Sequence, residues 1–285
     1  MLGDERPFEL EWVSIYTFQC RRMTDFRHGR VLFAGDAAHQ VSPFGARGAN
    51  SGFQDADDLM WKLGLVIKGQ ASEKLLDTYA MDRQFAADEN IMNSTRSTDF
   101  ITPKSRTSKT FRNQVLALAK HHPFARKLVN SGRLSVPSFL TGSVLNTPDA
   151  DAFEGQMVPG APMDDAPLQL DGQDAWLLDQ VGRGFAVLHF VDAAPDAQTL
   201  ATLQALKQGS VPVDSLIVSR QALPVPGLKV LVDAQGWMAK RYDAQPGTTY
   251  LLPPDQHVLA RWRSLDSARL QTAMARALGQ VGERA

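Results

Sequence analysis

The stretch "RVLFAGDAAHQVSPFGARGANSGFQDADDLMWK", residues 30–62, decides how the chain is read. A short apolar run at 30–34 stops at the Gly35–Asp36 pair, and a loop rich in Gly, Pro and Asn then leads into a long helix. Stiff and permissive residues set side by side shape a backbone around a ligand. A strand ending in Gly35–Asp36 puts a carboxylate at the carboxyl edge of a sheet, where open α/β folds bind ligands. Such a carboxylate accepts hydrogen bonds from sugar or polyol hydroxyls, so Asp36 is a candidate ribityl or ribose ligand; in isolation the same pair also fits a turn cap. Gly45, Gly48 and Gly52 leave room for a planar ligand against main chain, and Pro43 stiffens the loop beneath it. Asn50 and Ser51 begin the helix, whose free N-terminal amides suit an anion or an electron-rich carbonyl.

Working outward, Phe53, Ala56, Met60, Leu63 and Ile67 recur at helical spacing, and Asp55, Asp57 and Asp58 occupy the early turns favoured by acids. The spacing predicts a helix from about residue 50 to 68, stopped by Gly69, and a second long helix begun by Ser72. A third helical region, 108–130, is interrupted at Pro123. Upstream, "WVSIYTFQ" at 12–19 mixes aromatic and β-branched residues as a strand does. Near residue 146 the composition turns rich in Pro, Asp, Ala and Gly without a sustained period, which marks a linker or an extended lead-in to a second domain. Beyond it, strands are expected at 185–191, 214–219, 228–233 and 249–253. Helices at 196–208 and 264–280 complete the order β, α, β, β, β, α of a small α/β sandwich. The chain therefore divides into residues 1–145 and 146–285.

Length and charge narrow the function classes. With 285 residues, 44% of them hydrophobic, the chain can fill one large or two ordinary cores. Its 30 basic and 31 acidic side chains nearly cancel, so no overall field draws it to nucleic acid or an anionic membrane. The lone Cys20 excludes an internal disulfide framework and a Cys-based zinc site, and with no signal-like or membrane-spanning segment it points to the cytoplasm.

The pattern Gly-Asp-Ala-Ala-His, a spacer containing Pro43, then Gly-Ala-Arg-Gly-Ala-Asn and "QDADDLMWKL" resembles the second flavin-binding motif of the para-hydroxybenzoate hydroxylase family, the FAD-dependent aromatic monooxygenases. The resemblance implies cofactor contacts at Gly35 and Asp36, with Asp36 on the ribityl chain. It further implies Pro43 beside the isoalloxazine ring, and main-chain groups of Gly48, Ala49 and Asn50 on its pyrimidine side. The later segments "LLDTYAMDRQ", "VPGAPMDD" and "GRGFAVLHF" are similar to the phenol hydroxylase branch and its thioredoxin-like C-terminal domain. The implied fold is a partial FAD-binding α/β domain followed by a thioredoxin-like sandwich. The implied reaction is hydroxylation of a small phenolic substrate by FAD, NAD(P)H and O2. No side chain of this stretch is required as acid or base; the helix amides would stabilise negative charge on the reduced flavin.

One departure matters. No GxGxxG follows a strand anywhere in the chain, and Gly182-Arg183-Gly184 precedes one. The expectation is a C-terminal fragment or one chain of a split enzyme, partnered by an N-terminal FAD-binding half, with a homodimer as an open alternative. The competing expectation is a non-catalytic interaction or dimerisation module. Other polar groups read as structural: His39 as a loop histidine with ordinary hydrogen bonds, His121–His122 as a turn, and Arg21, Arg22, Arg27, His28 and Arg30 as a solvated sheet edge. The five tryptophans read as core or interface residues, and Cys20 as a small hydrophobe.

Overall fold

A computed structural model describes residues 9–129 and 136–280. The first part is built on two long antiparallel-packed stretches of helix, α1 (Arg47–Ile67) and α2 (Leu75–Ile101), with four two-residue strands beside them. These are β1 (Arg21–Arg22), β2 (Arg27–His28), β3 (Val31–Leu32) and β4 (His39–Gln40), paired antiparallel as β1 with β4 and β2 with β3. Arg22 reaches Asp88 at 2.6 Å and Arg27 reaches Asp77 at 2.7 Å, so the basic edge ties the strands to α2. Helices α3 (Arg106–Ala119) and α4 (Pro123–Val129) follow. Pro123 opens α4, where the ring's fixed φ suits a helix start, instead of merely interrupting a helix.

Two boundaries differ from the sequence reading. Residues 12–19 form no strand, and Ile15 is 95% exposed: with no neighbouring strand to pair its N–H and C=O groups, β propensity has nothing to act on. Helix α2 begins at Leu75, not Ser72, because the Ser72 carbonyl accepts the Leu75 amide in a preceding turn. Gly69, at φ 67°, ends α1 as expected.

The second part is one seven-stranded sheet. Its strands are β5 (Pro167–Leu170), β6 (Gln173–Trp176), β7 (Phe185–Phe190), β8 (Val213–Ser219), β9 (Lys229–Val232), β10 (Thr249–Leu252) and β11 (Ala260–Trp262), in the order β11-β10-β7-β8-β9-β5-β6. β7, β8 and β9 run parallel and the other pairings are antiparallel. Helices α5 (Ala197–Ala205), α6 (Trp237–Arg241) and α7 (Ser267–Ala277) complete it; Asp196 and Asp266 cap α5 and α7 by accepting first-turn amides.

One face of the sheet packs a cluster around Met157, Leu188, Val218, Leu231, Tyr242 and Tyr250. The other face packs Val187, Leu203, Ile217, Leu251, Trp262 and Leu270, and it also takes Leu75, Leu145 and Trp61 from the first part. Residues 146–166 are therefore a lead-in packed on the sheet, with Met157, Ala161, Met163 and Ala166 buried, and not a free linker. Of the tryptophans, Trp262 is buried and Trp61 half-buried at the junction, whereas Trp12, Trp176 and Trp237 are exposed.

Candidate functional site

The Gly35–Asp36 pair lies in a single turn of 3-10 helix, Gly35–Ala37, against the start of α1. Gly35 has φ 57°, a conformation that costs an L side chain and none to glycine. A Cβ on Gly52 would stand 3.5 Å from the Gly35 Cα, so this turn and the helix meet backbone to backbone.

What fixes the turn is a buried acid that the sequence reading did not single out. Asp55 is fully buried; its Oδ2 accepts the Gly35 N–H at 2.8 Å and lies 2.7 Å from His39 Nε2, while Arg83 Nε donates to its Oδ1 at 2.7 Å. Burial works against the charge on Asp55. The His39 hydrogen bond and the Arg83 guanidinium outweigh it and hold the carboxyl below its ordinary range. His39 is thus a buried member of a network in β4, stacked on Phe26 at 5.8 Å, more constrained than an ordinary loop histidine.

Held this way, the turn presents Asp36 outward. Its carboxylate is exposed and has no hydrogen bond to any described residue, and it is not the cap of the turn it sits in, whose cap position is Ala34. Pro43 is exposed on the loop, and Gly48, Ala49 and Asn50 lie beyond it. The helix starts three residues earlier than its spacing suggests. Ala46 adopts a left-handed conformation (φ 51°, ψ 36°), α1 begins at Arg47, and the Asn50 carboxamide donates to the Ala46 carbonyl at 2.7 Å. Gly48 and Ala49 consequently belong to the first helical turn, where main-chain N–H groups have no partner within the helix and carry the positive end of its dipole.

Below this start, Arg47 donates to Asn90 Oδ1 and to the Val136 carbonyl, the latter at 2.9 Å, and Asn90 donates to Ser51 Oγ at 2.6 Å. These groups line a cavity of about 180 Å³ with Gly45, Gln54 and Ser138. The donor set suits a ligand that offers hydroxyls to Asp36 and an electron-rich edge to the first-turn amides, which is what the polyol chain and pyrimidine edge of a flavin offer. Among the described residues no group of three or more His, Cys, Asp or Glu could hold a metal ion, and no helix is long and apolar enough to cross a membrane.

The signal for Asp55, Arg83, Arg47 and Asn90 was present but unused. Arg47, Ser51, Asp55, Asp58 and Lys62 recur at the same helical spacing as the apolar set, and it is this polar set that is buried. Lower on the same face, Lys62 Nζ contacts Asp58 at 2.5 Å and Asp82 at 3.3 Å, all three almost fully buried. Burial, opposed by Lys62 and reinforced by Asp255 and Asp82, pushes the Asp58 carboxyl up to about 7. Across the junction the Trp61 indole donates to Asp255 at 2.9 Å, and the Asp255 carboxylate lies 3.3 Å from His257 Nδ1. Burial opposes both charges of that pair, but each partner favours the other's charge, so Asp255 falls to about 2 and His257 is raised.

Residues 3–94 match the family described as FAD binding domain. The chain is 31% identical over 276 residues to the 3-(3-hydroxy-phenyl)propionate/3-hydroxycinnamic acid hydroxylase of Mycolicibacterium gilvum, covering 91% of this chain and 47% of that protein. It is 34% identical over 183 residues to the hydroxylase of the same name from Escherichia coli O9:H4, covering 63% and 32%. Its fold is like that of the flavin-dependent monooxygenase PieE solved with FAD and substrate (TM-score 0.67, 22% identity, 93% of this chain and 50% of that one). It is also like that of aklavinone-11 hydroxylase solved with FAD and aklavinone (TM-score 0.64, 23% identity, 91% and 45%). The chain spans about half the length of the two Mycolicibacterium hydroxylases it matches over 91% of its own length.

Proposed function

We propose that the chain is part of an FAD-dependent aromatic monooxygenase of the para-hydroxybenzoate hydroxylase and phenol hydroxylase type, and that it supplies the second flavin-contacting motif for hydroxylation of a phenolic substrate. When bound, FAD supplies the oxygen-transfer chemistry, with NAD(P)H as reductant and O2 as oxidant. The observation that carries the reading is Asp36: an exposed carboxylate without a partner among the described residues, on a turn locked by Asp55, beside the start of α1.

In this reading Asp36 accepts hydrogen bonds from ribityl hydroxyls and Gly35 gives the turn its left-handed geometry. Pro43 borders the ring. The amides of Gly48, Ala49 and Asn50 meet the pyrimidine edge, where the helix dipole stabilises negative charge that builds up on reduction. The pyrophosphate cradle comes from an N-terminal dinucleotide half, and the exposed apolar stripe Phe53, Met60 and Ile67 on α1 is the surface such a half would cover. Residues 1–145 form the flavin part and 146–285 a thioredoxin-like domain, a reading supported by the parallel pair β7–β8 joined through α5 and flanked by antiparallel β10 and β11. Its role is structural, since the chain's one cysteine, Cys20, lies outside it.

Flavin fluorescence titration tests this. In a complete enzyme carrying this segment, Asp36→Ala removes a carboxylate acceptor and weakens FAD about ten- to a hundredfold, roughly 1.5–3 kcal/mol. The chain on its own is expected to be colourless after gel filtration. An unchanged FAD affinity for the Asp36→Ala enzyme would favour the second reading, an interaction module without flavin, to which the uncovered α1 stripe and the exposed segment Leu10–Phe18 also lend themselves.

A further inference from the structure

Between Asp99 and Asp149 the sequence has no acidic residue, and this stretch holds the helices α3 and α4. In a chain whose 30 basic and 31 acidic side chains nearly cancel, so one-sided a segment gathers positive charge in one place. Lys104 meets Asp99 at 3.3 Å, the one ion pair of the segment among the described residues. Arg112 and Arg126 serve the backbone, donating to the Ile101 and Ala119 carbonyls at 3.0 and 3.1 Å. Arg106, Lys109, Lys120 and Lys127 are exposed and meet no acid among the described residues.

The same helices are amphipathic, and their apolar side chains are not put away. α3 and α4 pack chiefly on each other through the turn at His121–His122, and Val115 and Ala125 are buried. Phe111, Leu118, Phe124 and Leu128 are larger, and they stand 43–63% exposed. Phe111 and Leu118 lie two turns apart on α3, and Phe124 and Leu128 one turn apart on α4, so each helix shows its pair along one side. A nucleic-acid backbone would take the cations of such a hairpin and gain nothing from its bulky apolar groups. The surface of an anionic bilayer takes both: Phe and Leu enter the boundary of the acyl chains, and Lys and Arg lay their stems there with the charge among the headgroups. No described helix is long and apolar enough to cross a membrane, so the contact is with the surface of the bilayer.

We propose that the α3–α4 hairpin is a docking surface for the anionic headgroup layer of a lipid bilayer. Phe111, Leu118, Phe124 and Leu128 enter the acyl boundary, and Arg106, Lys109, Lys120 and Lys127 meet the headgroups. The overall charge of the chain conceals this, because the acids that balance the hairpin lie outside it. The surface shares no residue with the Gly35–Asp36 turn or the cavity below the start of α1, so the inference does not rest on the flavin reading.

Cosedimentation of the chain with large unilamellar vesicles tests the proposal, using phosphatidylcholine alone and an equal mixture with phosphatidylglycerol. Partition into the mixed vesicles is expected to be at least about tenfold stronger, and to weaken as added sodium chloride screens the headgroups. Lys109→Gln combined with Lys120→Gln should lower it about thirtyfold. Phe111→Ser combined with Phe124→Ser should lower it roughly tenfold with an unchanged circular dichroism spectrum, and Leu128→Ser repeats the apolar test should that pair fail to fold. Lys207→Gln combined with Lys229→Gln removes two exposed cations of the other part and should leave partition unchanged. Equal partition into both kinds of vesicle, or an equal loss from the Lys207 and Lys229 pair, would overturn the proposal. So would a loss seen with the Lys109 and Lys120 pair but with neither apolar variant, which would make the partner a soluble polyanion or an acidic protein.

Discussion

In strand β7 all six residues, Phe185 to Phe190, are buried, and five of them are apolar; in helix α1 the fully buried residues are Arg47, Ser51, Asp55, Asp58 and Lys62, while Phe53, Met60 and Ile67 face outward and Leu59, Trp61, Leu65 and Val66 are half-buried. The sheet follows the usual rule, with stability coming from apolar area removed from water. The helix inverts it. Its contact with α2 is built from matched charges, Asp55 with Arg83 and Lys62 with Asp58 and Asp82, each set tolerable only because its members meet. Periodicity therefore establishes that a segment is helical without saying which face is inside. A helix that buries its charges and exposes Phe53, Met60 and Ile67 has put its apolar stripe where something outside this chain can use it.

The contrast can be broken most directly at Lys62. Lys62→Ala leaves two buried carboxylates face to face and is expected to cost about 3–5 kcal/mol, measured by urea denaturation followed by circular dichroism. A loss under about 1 kcal/mol would mean that water reaches the pair and that the helix is not inverted in the sense argued. In the sheet, Ile217→Ala is expected to cost about 2–5 kcal/mol by cavity formation, with an unchanged m-value.

Titration sharpens the comparison further, because one group in each region, His189 in the sheet and Asp58 in the helix, responds to pH with opposite sign. Burial in β7 pushes His189 down to about 4, so between its unfolded value near 6.5 and 4 only the unfolded chain takes up the proton. Stability is then lost as pH falls through that window, by at most about 3 kcal/mol, and His189→Gln should flatten the slope. Asp58 does the reverse. With its carboxyl raised to about 7 from a model-compound value of 3.8, the folded chain keeps the proton longer, and stability falls as pH rises between those values. Asp58→Asn should remove that second slope in equilibrium unfolding repeated at several pH values, and a slope that survives would place its origin in another group. The smallest effect belongs to the stripe: Phe53→Ser in this chain should change stability by no more than about 0.5 kcal/mol, and a larger loss would show the face is covered from within.

Much of this was legible beforehand. The strands β7 to β10 are apolar runs bounded by turn residues, and the Gly-Asp turn with its Gly-rich loop carries the flavin resemblance in its own letters. What escaped has physical reasons. The hairpin β5–β6 turns at Asp171–Gly172, both at positive φ (51° and 78°), a strong two-residue hairpin signal that was submerged in a Pro- and Asp-rich stretch. Helix α6 and strand β11 are too short to show a period. Asp55 was counted as an acid favoured in an early turn, and its true partners, the Gly35 amide, His39 and Arg83, are 20, 16 and 28 residues away. Local spacing reports who shares a face, whereas a network of this kind is assembled by the fold.

Trp61 lies at the seam between these two ways of packing, its indole donating to Asp255 and its ring edge-on to Phe185 at 5.6 Å. Among the tryptophans only Trp262 is as well sheltered, while Trp12, Trp176 and Trp237 already face solvent. The seam thus carries a built-in optical gauge. If the helices part from the sheet before the sheet melts, Trp61 loses both neighbours at once, and acrylamide quenching should gain a newly accessible fluorophore while the far-ultraviolet signal of the strands stays where it was.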